Sequence, residues 1–398
     1  MKRFILLAMV VALLAAVIWW FQDEPLNDDA RAWLADTPAA SQAYECLLGM
    51  GAAPDQDACE VGERLFRRQQ QQADISLPAQ VDSPSDNTLL CEYRSADCLL
   101  AQQAHVSAAN TLLAENTVLR QRYLHLLSVD EFADLTPARL DSEFPRYQLL
   151  MAGARLQSLA VAINAQPAQS LVREIQQLRR LLTGQHSLLS KMIVTAMLEE
   201  KLRLLALLVQ QDRLANPLPA PLSTAEHDMK PALKAEFRLV TTLFLERDYL
   251  QHEQSAYERL LFRVGLRPHT TVNRVTGMYR HYMAQADLSP AEREAAPISL
   301  PEPDWQSRLR NPVGNLLLEV GTPDMGTYIA RLDYLDAQLR LFHWLAGKKN
   351  PPGNPWSSHP ATPVQNDQKL CFDTPDYDGR GSPCLPLLTT EPDLDLTP

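Results

Sequence analysis

Glycine is scarce in this chain, with 14 in 398 residues, and no Asn-Gly or Asp-Gly pair stands between alternating apolar residues. The one Asp-Gly, at Asp378 and Gly379, falls inside the last cysteine loop. Strands joined by tight hairpins rely on such turns, so a sheet-built fold is disfavoured. A basic excess is missing as well: 37 Lys and Arg face 48 Asp and Glu, a formal charge of −11. Setting aside Lys2 and Arg3 takes −11 to −13. A surface of that sign gives phosphate backbones no footprint, so no nucleic-acid partner is expected.

Local catalytic signatures are also lacking. The chain holds no Gly-x-Ser-x-Gly elbow and no His-Glu-x-x-His zinc motif. His252 and Glu253 are adjacent, but Ala256 stands where the second histidine would be. No histidine has a glutamate three positions before it, as a di-metal helical bundle requires. Glu199 and Glu200 are neighbours on one helix and diverge around its surface, which makes a poor acid and base pair. The stretch "LLLEVGTPDMGTY" (316–328) has glycines five apart, yet Thr327 stands where a phosphate loop needs lysine. Gly321 ending one helix and Thr322 capping the next explains it more simply. Asp373, Asp376 and Asp378 precede Gly379 as in a calcium loop, but Leu385 occupies the position of the closing oxygen ligand. No catalytic, cofactor-binding or metal residue is therefore assigned, and the enzyme question stays open, leaning against.

What the sequence does contain begins at its first residues. Phe4 to Phe21 is eighteen residues without a charge, which as a helix is about 27 Å long and can cross a bilayer core. Trp19 and Trp20 close the run, where indole rings suit the membrane interface. Lys2 and Arg3 precede it and Asp23, Glu24, Asp28 and Asp29 follow, which orients the N-terminus to the cytoplasm. A cleaved signal peptide has a shorter apolar core and small residues before the cut, so a retained signal-anchor is expected here, with cleavage as the alternative. The later apolar runs, "MIVTAML" and "LLALLVQ", are too short to span.

Six cysteines fall into three local pairs: Cys46 with Cys59, Cys91 with Cys98, and Cys371 with Cys384. An oxidising compartment would close them as disulfides, although six cysteines allow fifteen connectivities. Their spacings exceed the two to four residues usual between zinc-binding cysteines. Free buried thiols are the alternative.

Helical periodicity runs through most of the chain and predicts helices over 30–50, 61–72, 98–127, 145–165, 168–182, 187–214, 230–264, 272–286 and 325–345. The 187–214 segment reads as amphipathic, with Lys191, Glu199, Lys201 and Arg203 off its apolar face. Asn311 before Pro312, and Thr322 before Pro323, read as caps. Ile329, Leu332, Leu335, Leu339 and Phe342 form one stripe, expected to pack in the core. Strand signals are missing, and after Gly347 the helical pattern stops.

The expected fold class is all-α: a single N-terminal transmembrane helix, an extracytoplasmic helical bundle or helix-hairpin stack, and an irregular disulfide-closed C-terminal segment. The parts are 1–21 (anchor), 22–87 (helical segment with a disulfide), 88–215 and 222–346 (two parts of a bundle), and 347–398 (proline-rich, ending in an acidic tail read as disordered). The expected place is a bacterial inner membrane, with the main domain periplasmic. The expected function is a binding or scaffold component of a cell-envelope process. It would touch membrane lipid through the N-terminal helix and an envelope protein partner, with no cofactor. The alternatives are an envelope hydrolase whose site is assembled from distant residues, and a helical pocket for a small apolar ligand or lipid.

Overall fold

The structure is a computed structural model. It describes the chain apart from residues 1, 39, 72–74, 85, 130, 140, 165–167, 214–217, 247–254, 297–301, 322–323, 348–352, 357–358, 360–363, 367, 376–381 and 389–398. The side chains at 2, 3, 6–8, 15–18, 256, 258, 259, 261 and 366 also lie outside the described set. His252, Glu253, the Thr322 and Pro323 cap, Asp376, Asp378, Gly379 and the acidic tail all fall there.

The described chain is mostly helical. α1 (Lys2–Phe21) holds the apolar run, and its described side chains Phe4, Met9 and Leu13 are exposed. Among the described residues no helix is long and apolar enough to cross a membrane. Since nine side chains of α1 are outside that set, the spanning expectation rests on the sequence and gains no independent support from the fold.

The predicted helix over 30–50 is two helices, α2 (Asp28–Ala35) and α3 (Gln42–Leu48). Pro38 stands between them, and Ser41 caps α3 by accepting the Tyr44 N–H at 3.2 Å. α4 (Ala58–Gln70) packs on α3 closely enough that neither Gly49 nor Gly62 has room for a Cβ. The predicted 98–127 helix is three: α5 (Ala96–Ala104), α6 (Val106–Glu115) and α7 (Thr117–Ser128). His105 and Asn116 interrupt it, and their side chains bond back to the carbonyls of Ala101 (2.8 Å) and Leu112 (2.9 Å). Such back-bonding competes with the backbone ladder, and apolar periodicity does not register it.

α8 (Tyr147–Ala162), α9 (Gln169–Leu182) and α10 (Leu188–Val209) follow. α10 corrects the amphipathic reading, because it is the central helix and is buried nearly all round. Lys191 and Lys201 are 2% and 1% exposed. Each survives burial by finding oxygen. Lys191 Nζ donates to the carbonyls of Leu182 (3.2 Å) and Asp228 (2.7 Å). Lys201 pairs with the equally buried Glu174 (2.7 Å) and donates to the Ala154 carbonyl and Ser158 Oγ. Short α11 (Thr224–His227) opens with a Ser223–Glu226 capping box.

α12 (Lys230–Leu245) lies within the predicted 230–264 helix, and α13 (Ala256–Gly265) passes its end by one residue. α14 (Pro268–Ala286), α15 (Pro290–Ala295), α16 (Trp305–Arg310), α17 (Pro312–Gly321) and α18 (Gly326–Leu345) complete the helices. The α18 stripe of Ile329, Leu332, Leu335, Leu339 and Phe342 is buried throughout, as expected. α10 packs against α8, α9, α12 and α18, and one apolar core runs from Ala30 to Leu387.

The C-terminal segment, expected to be irregular, holds a small sheet among its described residues. β1 (Val364–Asn366), β2 (Lys369–Cys371) and β3 (Cys384–Pro386) form an antiparallel sheet in the order β1-β2-β3. Cys371 lies directly opposite Cys384 in the register, and the two are bonded. Strands of three residues are too short to show alternation, so the sequence pattern missed them. Leu370, Phe372, Leu385 and Leu387 enter the core.

Candidate functional site

The most constructed polar feature outside the core is the junction between α1 and the helical head. An α-helix ends with carbonyls that have no partner within the helix. At α1 the Trp20 carbonyl accepts from Arg267 Nε (3.1 Å) and Nη2 (2.6 Å). Arg267 is 3% exposed, and its guanidinium lies 5.6 Å from the Phe21 ring centroid. A buried cation at a helix C-terminus also meets the negative end of the helix dipole. Arg310 makes a second contact, with its guanidinium 4.5 Å from the Trp19 ring and Nη2 donating to the Gln22 carbonyl.

Beyond α1 the chain is fastened to α14. Asp23 accepts the backbone N–H of His269 (2.9 Å) and of Thr270 (3.1 Å). Asn273 donates to the Pro25 carbonyl and accepts from the Asn27 N–H, each bond near 2.9 Å. Trp33 packs edge-on against Phe237 of α12, and Arg280 pairs with Asp29. Asn311, read from sequence as a cap for α17, carries its side chain beside Gly314 in the first turn of that helix and also bonds across to α14. Its Oδ1 accepts the Arg267 N–H (2.8 Å) and its Nδ2 donates to Thr271 Oγ1 (2.9 Å), which fixes the backbone carrying the Arg267 guanidinium.

Trp19 and Trp20, singled out in the sequence, thus meet this cluster, Trp19 through its ring and Trp20 through its carbonyl. Arg267, Arg310 and Asp23 were not foreseen. One signal was available: "RPHTT" begins a helix at Pro268 with no Ser, Thr, Asp or Asn before it, so its first N–H groups need a cap from elsewhere.

All six cysteines are joined in three local disulfides, Cys46–Cys59, Cys91–Cys98 and Cys371–Cys384. His125 approaches the first pair closely enough for a metal triad. Both sulfurs are already bonded to each other, so no thiolate is left to ligate.

A cleft of about 200 Å³ lies beside Asp134, Ser187 and Glu236, walled by Leu135, Phe144, Leu189 and Leu239. Phe132 and Asp134 bond across to Gln185, which brings Asp134 to Ser187. Asp134 accepts from Ser187 Oγ (2.5 Å) and the Tyr147 hydroxyl (3.1 Å). Burial raises the Glu236 carboxyl. The His186 ring is bonded to Ser190 Oγ and the Leu181 carbonyl, so the partner of the Ser187 hydroxyl is the Asp134 carboxylate and not this imidazole. Ser187 serves as the α10 cap, accepting the Ser190 N–H. Glu199 is paired with Arg203 and Glu200 with Arg155.

No known protein family, curated protein or solved structure matches this chain.

Proposed function

We propose that α1 is a retained membrane anchor and that the helical head it carries is a binding or scaffold component of a cell-envelope process. The head would stand on the periplasmic side of a bacterial inner membrane, with lipid around α1 and an envelope protein as partner. The supporting observation is the junction: Arg267 binds the Trp20 carbonyl, and Asp23 caps a helix of the head. A leader removed after export would take the Trp19, Trp20 and Phe21 contacts with it. A mount in which span and head share hydrogen bonds also fixes the head's orientation to the membrane, which suits a scaffold. The three disulfides agree with an oxidising compartment.

Intact mass of the membrane-extracted protein tests the anchor, and a chain beginning near residue 20 would refute it. Crosslinking in native membranes tests the scaffold role through one recurrent envelope protein in near-equal amount. A solitary monomer would favour a second reading, a ligand or catalytic role for the Asp134 cleft, whose apolar walls surround two carboxylates.

A further inference from the structure

We infer that the face built by α13, α16 and α17 lies on the same lipid surface that α1 enters, as a second, interfacial membrane contact beside the anchor. This inference rests on the anchor reading above. Three pairs of large apolar side chains stand in water at helical spacing. Trp305 and Leu309 on α16 are 67% and 50% exposed, Leu316 and Val320 on α17 are 59% and 81%, and Tyr257 and Leu260 on α13 are 68% and 57%. Residues three or four apart share a helix face, so each pair is a stripe. Elsewhere on the described head, exposed large apolar residues on helices stand one to a helix, Leu100 on α5, Val106 on α6, Leu124 on α7 and Leu189 on α10, while Phe144, beside Leu189, and Val364 lie off the helices. Scattered single residues need no explanation, whereas grouped ones mark a contact.

The three helices are neighbours. α17 packs against α13, α14 and α16, and a Cβ built on Gly265 of α13 would come within 2.7 Å of a Val313 methyl. They are also next to the end of α1. Arg310, the last residue of α16, is the group that stacks on Trp19 and bonds the Gln22 carbonyl. Trp305 is five residues earlier on the same helix, about 7.5 Å along its axis. If Trp19 sits at headgroup depth, α16 lies within the interfacial layer, which is about 5 to 10 Å deep for a helix resting on a bilayer.

Position favours lipid over a protein partner. The stripes stand beside the end of α1, where Arg310 of α16 stacks on Trp19. The exposed charges around them are of both signs, Arg263 and Arg308 against Glu302, Asp304 and Glu319, with Arg308 paired to Glu302. Trp, Tyr and Leu side chains among mixed charges, next to a helix end that carries Trp19, suit the interfacial layer of a bilayer.

The test uses the full chain, with a photoreactive residue installed singly at position 13, 100, 305, 316 or 320 and reconstituted in phosphatidylethanolamine and phosphatidylglycerol nanodiscs. After irradiation, intact mass reads lipid adducts. The expected result is lipid attachment at 13, 305, 316 and 320, several-fold above position 100. Attachment at 13 with 305, 316 and 320 at the level of 100 overturns this inference and leaves the anchor standing. No attachment at 13 rejects the anchor itself, and the inference with it. The same variants irradiated in native membranes give the remaining outcome: protein adducts at 305 and 316 in place of lipid would assign the face to a protein partner and overturn the lipid contact.

Discussion

Asp23 and His269 are 246 residues apart in sequence, and the Asp23 carboxylate accepts the His269 backbone N–H at 2.9 Å. Its other oxygen accepts both the N–H and the hydroxyl of Thr270, at 3.1 and 3.0 Å. The residue flanking α14 is Arg267, whose side chain is turned to the Trp20 carbonyl. One strand of chain thus supplies the cap that α14 lacks, while α14's own flanking residue closes the end of α1.

Replacing Asp23 tests this exchange. Asp23→Ala should lower unfolding stability by about 1 kcal/mol, the usual cost of a lost helix cap, and Asp23→Asn should recover most of it. Limited proteolysis should then cut faster within 22–27. Equal denaturant midpoints for the alanine variant and the parent would refute the cap.

Two glycines should respond oppositely to alanine. A Cβ at Gly62 would sit 1.6 Å from the Glu45 carbonyl oxygen, so Gly62→Ala must push α3 and α4 apart at a cost of about 3 kcal/mol or more. A Cβ at Gly277, inside α14, meets nothing within 4 Å. Gly277→Ala should be neutral or stabilising by up to about 1 kcal/mol, since alanine is the better helix former. Thermal unfolding of the two variants decides, and similar losses at both sites would contradict the helix packing.

The C-terminal sheet should depend on its disulfide. Cys371 and Cys384 face each other across β2 and β3, and Gln210, the residue after α10, bonds the Pro386 carbonyl (3.1 Å) and the Leu388 N–H (3.0 Å). Removing the link as Cys371→Ser with Cys384→Ser should cost about 3 kcal/mol and raise hydrogen exchange in β2 and β3 first. Peptide mapping without reduction should find three local links, and six free thiols would exclude them.

Acid should act on two buried groups with opposite sign. Burial pushes the His186 imidazole down from 6.5 to about 4. Above 6.5 the ring is neutral folded or unfolded, and as pH falls from 6.5 to 4 the unfolded chain takes the proton first, so stability is lost. Burial lifts the Asp333 carboxyl from 3.8 to about 6, although Arg293 opposes it. Its contribution is present below 3.8 and is lost as pH rises through 6. Urea unfolding between about pH 7 and about pH 4 separates them. Relative to His186→Asn, the parent should lose on the order of 3 kcal/mol on acidification. Relative to Asp333→Asn, it should gain a similar amount. Parallel pH profiles for all three proteins would rule out both assignments.

Much of this architecture was legible because it is local. Helices show their periodicity within a dozen residues, so α8, α9, α14 and α18 fall close to their predicted ranges, and the cysteine pairs are neighbours in sequence. The misreadings involve partners that periodicity does not carry. His105 and Asn116 divide a predicted helix through side-chain bonds to their own backbone. Lys201 looked solvent-facing because nothing in the pattern announces that Glu174 waits opposite it.

By itself the sequence determined the helical class and the apolar first helix ending in Trp19 and Trp20, and it set the six cysteines as sequence neighbours in twos without fixing their pairing, since each depends on residues within about one element of each other. Tertiary structure alone decided that α10 lies at the centre, that the last segment closes as a sheet, and that Arg267, Arg310 and Asp23 fasten α1 to the head. The contacts that fasten α1 join positions more than two hundred residues apart, and a bond between distant positions exists only once the chain between them has folded.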